Sequence, residues 1–285
     1  MAVRFCMHPS CLVLLLCAAC NASRATGGRA FTPWRVRSRS APPPAACKLR
    51  GGGGGGATMP QVVEIEGVGA EPAADEDDGV FFEEFAFRGK ELRIKQNTIK
   101  GHAHVLWDAA RVLAGYLDVC PISWEGKKVL DLGSGVGLTG LCVASAGAIV
   151  TMTELPGHTR TLQANCELNM AATPDRWTVR DAVWGVVGDV TAWGQVTDLG
   201  YEWDYILGAD LIYSDDSTPH LIQTLLHSCR GKTEFIMSFE LRRKKDLEFL
   251  QGLAQLGFAF RKLAPAELHP HWQAEEIGVF VMHRK

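Results

Sequence analysis

The run Val129-Leu130-Asp131-Leu132-Gly133-Ser134-Gly135-Val136-Gly137-Leu138 constrains this chain more than any other feature. A short apolar strand enters a turn of alternating glycines, and a helical pattern leaves it. Glycine allows the tight turn and lets a ligand approach the backbone. That order opens a βαβ unit, and the flanking segments continue the alternation. Lys128 to Leu132, Ala148 to Thr153, Trp177 to Val183, Trp203 to Ala209 and Glu234 to Phe239 read as strands, with Phe258 to Phe260 and Gly278 to His283 closing the set. Val105 to Leu117, Leu138 to Ala146, Thr159 to Met170, Pro219 to Cys229 and Lys245 to Leu256 read as helices. Ahead of them, Val80 to Phe87 and Glu91 to Lys95 read as a β-hairpin turning at Gly89-Lys90. The predicted fold is α/β, a mostly parallel Rossmann-like sheet with helices on both faces. Its crevice lies beyond the carboxyl ends of the strands at Leu132, Thr153, Val183 and Ala209.

A nucleotide cofactor suits such a loop, and two kinds compete for it. Gly135-Val136-Gly137-Leu138-Thr139-Gly140 satisfies the dinucleotide pattern, with Glu154 at the expected distance for a ribose. Asp131 separates the two. A carboxylate at the strand end repels a pyrophosphate but attracts the sulfonium and ammonium of S-adenosylmethionine. Glu154 accepts ribose hydroxyls under either reading.

Beyond this point the sequence resembles the seven-stranded, class I methyltransferases, and within them methyltransferase family 16, the protein-lysine methyltransferases that include chaperone-modifying enzymes. The likeness covers about Gly101 to Lys285. It is carried by Val105-Leu106-Trp107-Asp108-Ala109-Ala110, the Asp131 to Gly137 loop, Val183-Trp184-Gly185, and Gly208-Ala209-Asp210-Leu211-Ile212-Tyr213, the last matching the family's Asp-x-x-Tyr signature. The resemblance implies a seven-stranded sheet, S-adenosylmethionine as cofactor, and contacts to it from Trp107, Gly133, Ser134, Gly135, Glu154, Trp184 and Ala209, with Asp131 and Gly137 in the same loop. Glu154 departs from relatives that carry Asp, with a longer arm. Read without the resemblance, Trp184 is either an adenine contact or a core tryptophan, and Trp107 is better explained by burial.

Methyl transfer is an in-line displacement, so alignment is the enzyme's main task. A lysine acceptor at pH 7 must lose a proton from a pKa of about 10.4, which costs roughly 4.6 kcal/mol unless the site lowers that pKa. An aspartate alone favours the ammonium. Asp210 is therefore expected to dock and orient the lysine head, with Tyr213 shaping the channel and the proton passing to water. The other reading of the pair is a strand-end turn that satisfies its own backbone. Asp215 and Asp216 extend the acidity of that loop as solvated turn residues. A small-molecule methyltransferase on the same fold, a nicotinamide-dependent oxidoreductase and a non-catalytic cofactor-binding scaffold are the competing functions.

Composition bears on partners and address. Residues 1–63 hold eight Lys or Arg and no acid, which leaves residues 64–285 with 21 basic against 32 acidic side chains, a net charge of −11. A surface that acidic suits a basic protein partner rather than nucleic acid. The apolar run Cys11 to Cys20 has ten residues, where a bilayer-spanning helix needs about 20, so it reads as a signal-type region and no membrane span is expected. Arg24, Arg29, Arg35, Arg37 and Arg39 follow among Ser and Pro, the composition of a transit peptide. The join Gly28-Arg29-Ala30-Phe31 resembles bipartite leaders of algae with secondary plastids. Import into a plastid or mitochondrion is the expectation; a start at Met59, which gives a cytoplasmic protein, is the alternative. Residues 1–63 are read as a disordered leader with a glycine-rich linker at Gly51 to Gly56, 64–79 as an acidic flexible segment, and 80–285 as the methyltransferase domain, expected to be a monomer. Five of nine cysteines lie in the leader, and Cys120, Cys142, Cys166 and Cys229 form no paired motif. Neither zinc nor a disulfide framework is expected, and His102, His104, His269 and His271 read as surface or packing residues.

Overall fold

Strand β1 (Val80–Phe87) pairs antiparallel with β2 (Lys90–Asn97), opening the described part of the chain. The structure, a computed structural model, describes residues 78–185, 202–241 and 244–285; the leader, the linker and most of the acidic segment lie outside these residues. The hairpin turn falls on Arg88-Gly89 rather than Gly89-Lys90. Both residues are left-handed, with φ of 47° and 75°, as a two-residue turn between twisted strands demands.

The main sheet has seven strands: β3 (Lys128–Leu132), β4 (Ile149–Glu154), β5 (Trp177–Asp181), β6 (Tyr205–Ala209), β7 (Glu234–Glu240), β8 (Phe258–Lys262) and β9 (Ile277–Arg284). Their spatial order is β5-β4-β3-β6-β7-β9-β8, with β9 antiparallel to both neighbours and the remaining pairs parallel. The order reverses at β3, whose neighbours β4 and β6 follow it on opposite sides, which places a crevice over the ends of β3, β4 and β6. β5 stops at Asp181, short of Val183, because its partner β4 ends at Glu154, the residue opposite Asp181.

Among the described residues five helices cover the sheet: α1 (Asp108–Val119), α2 (Leu138–Ser145), α3 (Thr159–Met170), α4 (Thr218–Ser228) and α5 (Lys244–Gln255). The period of two along β3 sorts its side chains. Val129 joins the core beneath α1, α2, α3 and the hairpin, whereas Leu130 and Leu132 join the core beneath α4 and α5. Asp131 shares the face of Val129, and is pointed into protein rather than solvent. The hairpin buries Phe85, Phe87, Leu92 and Ile94 in that same core.

Side chains bind the hairpin to the domain through its backbone. Asn165 accepts from Lys95 N at 2.7 Å and donates to Lys95 O at 2.9 Å, while Asn169, one turn later on α3, does the same for Arg93 at 2.8 and 2.9 Å. The two amides complete the outer edge of β2 as another strand would. From the turn, the Arg88 guanidinium donates to the carbonyls of Leu117, Asp118, Cys120 and Ile122, capping the end of α1. Among the described residues, no helix is long and apolar enough to cross a membrane. Cys120, Cys142, Cys166 and Cys229 are free and buried.

Candidate active site

The glycine loop has its shape imposed from both sides. Ser134 N donates to Thr153 O at 2.8 Å; its hydroxyl donates to Asp131 O at 2.9 Å and accepts from Thr153 N at 3.1 Å. That hydroxyl ties β3 to β4, so Ser134 serves the site by holding the loop. A Cβ on Gly133 would stand 2.9 Å from Leu211 and 3.1 Å from Trp184, so only a bare backbone fits there. Gly137 has a packing duty. A Cβ on it would lie 2.5 Å from Leu162, and its φ is 90°, so this glycine lets α3 pack against the start of α2. Gly135 faces outward beneath the strap formed by residues 101–107, with Ala103 O 3.7 Å from where its Cβ would be.

Asp131 lies beneath the loop and is 1% exposed. Its Oδ2 accepts from Thr139 at 2.9 Å, and its Oδ1 is buried without a hydrogen-bond partner. Burial, opposed by hydrogen bonding from Thr139, Ser134 and the Gly140 backbone and reinforced by the charge of Glu154, pushes its pKa up to about 6. A buried carboxylate with an unanswered oxygen fits a cationic ligand above it and not a pyrophosphate. Because so little of it is exposed, it acts chiefly through its field.

Glu154 ends β4, half-buried, with Oε1 accepting from Leu155 N and Oε2 from Gly135 N, both at 2.9 Å. Burial raises its pKa and those two backbone bonds oppose the rise. One donor at each oxygen leaves lone pairs for two hydroxyls. Trp184 follows β5 and inclines toward Tyr213, ring centroids 6.1 Å apart at 48°. The two rings, Leu211 and Gly133 wall one end of the crevice.

Ala209 ends β6, and the chain turns sharply at the next residue. Asp210 has φ of 55°, and with Arg88 it is one of two described non-glycine residues in that region. Its N–H donates to Ser238 O at 2.8 Å, which anchors the turn. Asp tolerates the left-handed conformation better than most residues, but the strain is real and sits where such strain concentrates. Tyr213 is 49% exposed; burial of its hydroxyl together with the charge of Glu154 raises its pKa against the opposing Ser217 bond, so it stays protonated. Trp107 is 37% exposed and its indole N–H donates to His102 O at 3.1 Å. It precedes α1 in extended conformation, so the helix begins at Asp108, three residues later than its apolar pattern predicts.

The structure therefore gathers Asp131, Gly133, Ser134, Gly135, Glu154, Trp184, Ala209, Asp210 and Tyr213 around the ends of β3, β4, β5 and β6, with Trp107 on the strap beside Gly135. Gly137, in the same loop, also packs against Leu162 of α3. Sequence reasoning missed Leu211, whose only signal was its place between Asp210 and Tyr213. It also read His104 merely as packing, whereas His104 is buried with Nδ1 2.7 Å from Thr161 Oγ1 and helps fasten the strap. Among the described residues no group of three or more His, Cys, Asp or Glu could hold a metal ion.

Comparison with known proteins gives the family. A family model described as lysine methyltransferase matches residues 86–256. The chain is 34% identical over 204 residues to EEF1A lysine methyltransferase 3 of Xenopus tropicalis, covering 70% of this chain and 84% of that relative. It is 36% identical over 174 residues to protein N-lysine methyltransferase METTL21A of Danio rerio, covering 60% and 77%. Among solved structures, a 16S rRNA methyltransferase of T. thermophilus in complex with AdoMet and guanosine superposes with a TM-score of 0.52 at 17% identity, covering 72% of this chain and 50% of that one, a likeness of fold.

Proposed function

We infer that this chain, which belongs to the lysine methyltransferase family, works by docking a protein lysine at Asp210 and Tyr213 against a methyl donor seated on the glycine loop. It is an S-adenosylmethionine-dependent protein-lysine N-methyltransferase. When bound, the donor supplies an electrophilic methyl on a cationic sulfur. The buried, half-satisfied carboxylate of Asp131 is the observation that carries the assignment of the loop to that donor.

The residues divide as follows. Glu154 holds the ribose through its free lone pairs, and Trp184 lies beside the base. Trp107 covers the loop from the strap, and the backbone of Gly133, Ser134 and Gly135 provides the floor. Asp210 receives the lysine ammonium and fixes its direction, because its strained turn holds the carboxylate at one place over the end of β6. The Tyr213 hydroxyl, protonated, donates along the channel. None of these groups is a base strong enough to take the lysine proton, so the proton leaves through water at the half-exposed mouth.

For the acceptor we propose a basic surface on a translation factor of the EEF1A kind, a chaperone being the alternative outcome. The support is the name of one relative and the net charge of −11 over residues 64–285. A monomer is proposed, since a site built within one chain needs no second copy. We also propose an organellar address for the full chain, from the two-part composition of residues 1–63. Tritiated methyl transfer into a cell extract by the full chain and by a Met59-onward chain, with mass spectrometry of the labelled band, tests this reading. Label on lysine in a protein supports it, and label on a metabolite alone overturns it. Imaging of a C-terminally tagged chain tests the address.

A further inference from the structure

An extended tryptophan ahead of a helix can point in many directions, and nothing in its own sequence fixes one. The residue before it does, because both of its backbone polar groups are held. Leu106 N–H donates to Gln96 Oε1 at 2.7 Å, and Leu106 carbonyl accepts from Arg111 Nη1 at 3.1 Å. Gln96 is 1% exposed at the end of β2. Its amide nitrogen donates to Glu83 Oε2 at 3.1 Å, and Glu83 receives Arg111 through both oxygens, Nε to Oε1 at 2.7 Å and Nη2 to Oε2 at 2.5 Å. Burial alone would raise the Glu83 carboxyl; the Arg111 bonds and charge, with Gln96, bring it below its ordinary value. Leu106, Gln96, Glu83 and Arg111 thus form a closed ring of hydrogen bonds that holds the peptide units on both sides of Leu106.

Glutamine is particular to this place. Its oxygen must meet an N–H and its nitrogen must meet a carboxylate, which fixes the amide orientation. Glutamate would set a second charge against Glu83, asparagine is one methylene short, and methionine leaves both partners unanswered in a buried site. Two residues upstream of Leu106, His104 fastens the strap to Thr161 on α3. Between these anchors and the loop lies Ala103 O, above Gly135.

We propose that Gln96 is a positioning residue for the cofactor site. It holds the Leu106 N–H directly and, through Glu83, the Arg111 that holds the Leu106 carbonyl, and so sets the angle at which Trp107 and the strap close over the glycine loop. The hairpin is then part of the binding machinery although none of its side chains reaches the ligand. This rests on the reading of Trp107 as a cofactor contact.

Calorimetry of the full chain with S-adenosylhomocysteine, which needs no turnover, tests it in four proteins: the natural chain, Gln96→Met, Trp107→Ala and the double variant. Gln96→Met is expected to weaken binding about tenfold. It should do nothing further in the Trp107→Ala background, since it acts through that side chain. Equal weakening in both backgrounds means a general role in stability and overturns the proposal. Natural affinity in Gln96→Met, with Trp107→Ala weakened, also overturns it while leaving the cofactor reading intact. Natural affinity in Trp107→Ala removes the reading beneath it. Should Gln96→Met fold poorly, Gln96→Asn, which keeps the amide and falls one methylene short of Leu106 N–H, is the second variant. Faster deuterium exchange over residues 102–107 with weaker binding then supports the proposal, and unchanged exchange and affinity overturn it.

Discussion

Asp131 should make the ligand-free protein less stable than it could be, and Asp131→Asn exposes the amount. Raised by burial from an ordinary 3.8 to about 6, the ionised carboxylate costs the fold about 3 kcal/mol at neutral pH. The sign follows from the direction. An acid whose folded pKa is raised binds more protons folded than unfolded between 3.8 and about 6, so stability falls as pH rises through that window and is level above it. Asparagine removes the charge and keeps an acceptor for Thr139, so most of the penalty should vanish. At about 2 to 4 °C per kcal/mol for a domain of this size, Asp131→Asn should melt roughly 5 to 10 °C higher at pH 7.5 and close to the natural protein near pH 4. Its affinities should move the other way. The cationic donor should lose about tenfold or more, and the neutral-sulfur product S-adenosylhomocysteine much less, because only the former carries the sulfonium charge. In the natural protein, donor affinity should rise with pH up to about 6 to 7 and then level, a slope the variant lacks. Scanning calorimetry at the two pH values and titration calorimetry with both ligands measure all of this. A variant no more stable at pH 7.5, or equal losses for the two ligands, refutes the field argument for the loop.

Glu154→Ala should weaken the cofactor by about 1.5 to 3 kcal/mol in the same calorimetry, through lost charge-assisted hydrogen bonds to the ribose; natural affinity would place the ribose elsewhere. Asp210→Asn should remove most methyl transfer while leaving cofactor affinity nearly unchanged. It is a cleaner test than alanine, which adds roughly 1 to 2 kcal/mol of left-handed backbone strain, and parallel loss of both readouts would end the division between donor and acceptor sites. Arg88→Ala should cost about 1 to 2 kcal/mol in urea unfolding by uncapping α1, and Arg88→Lys should recover little, having no fork to reach four carbonyls. Full recovery by lysine would make the interaction one of charge alone.

The parallel strands and their helices were readable because each depends on residues within a turn or two of one another. Buried apolar runs such as Val129 to Leu132 and helical spacing such as Thr159 to Met170 need no distant partner to be recognised. Boundaries slipped where a distant group decided them. β5 ends at Asp181 because β4 runs out, and α1 begins at Asp108 because the hairpin and Arg111 already hold the Leu106 peptide. The links between hairpin and domain had no signature at all. Asn165 and Asn169 look like ordinary exposed helix positions until β2, about 70 residues earlier, lays its free edge beside them.

The loop shows what a motif leaves unsaid. Its three glycines stand two residues apart and look equivalent, yet they face a crevice, a strap and a helix in turn. Gly133 is pressed by Trp184 and Leu211, Gly135 lies under Ala103, and Gly137 meets Leu162. A motif records that a side chain is forbidden and is silent about what forbids it. Only at Gly133 and Gly135 does the excluded space belong to the cleft, so a substitution at Gly137 should appear first as lost stability and only afterwards as lost binding.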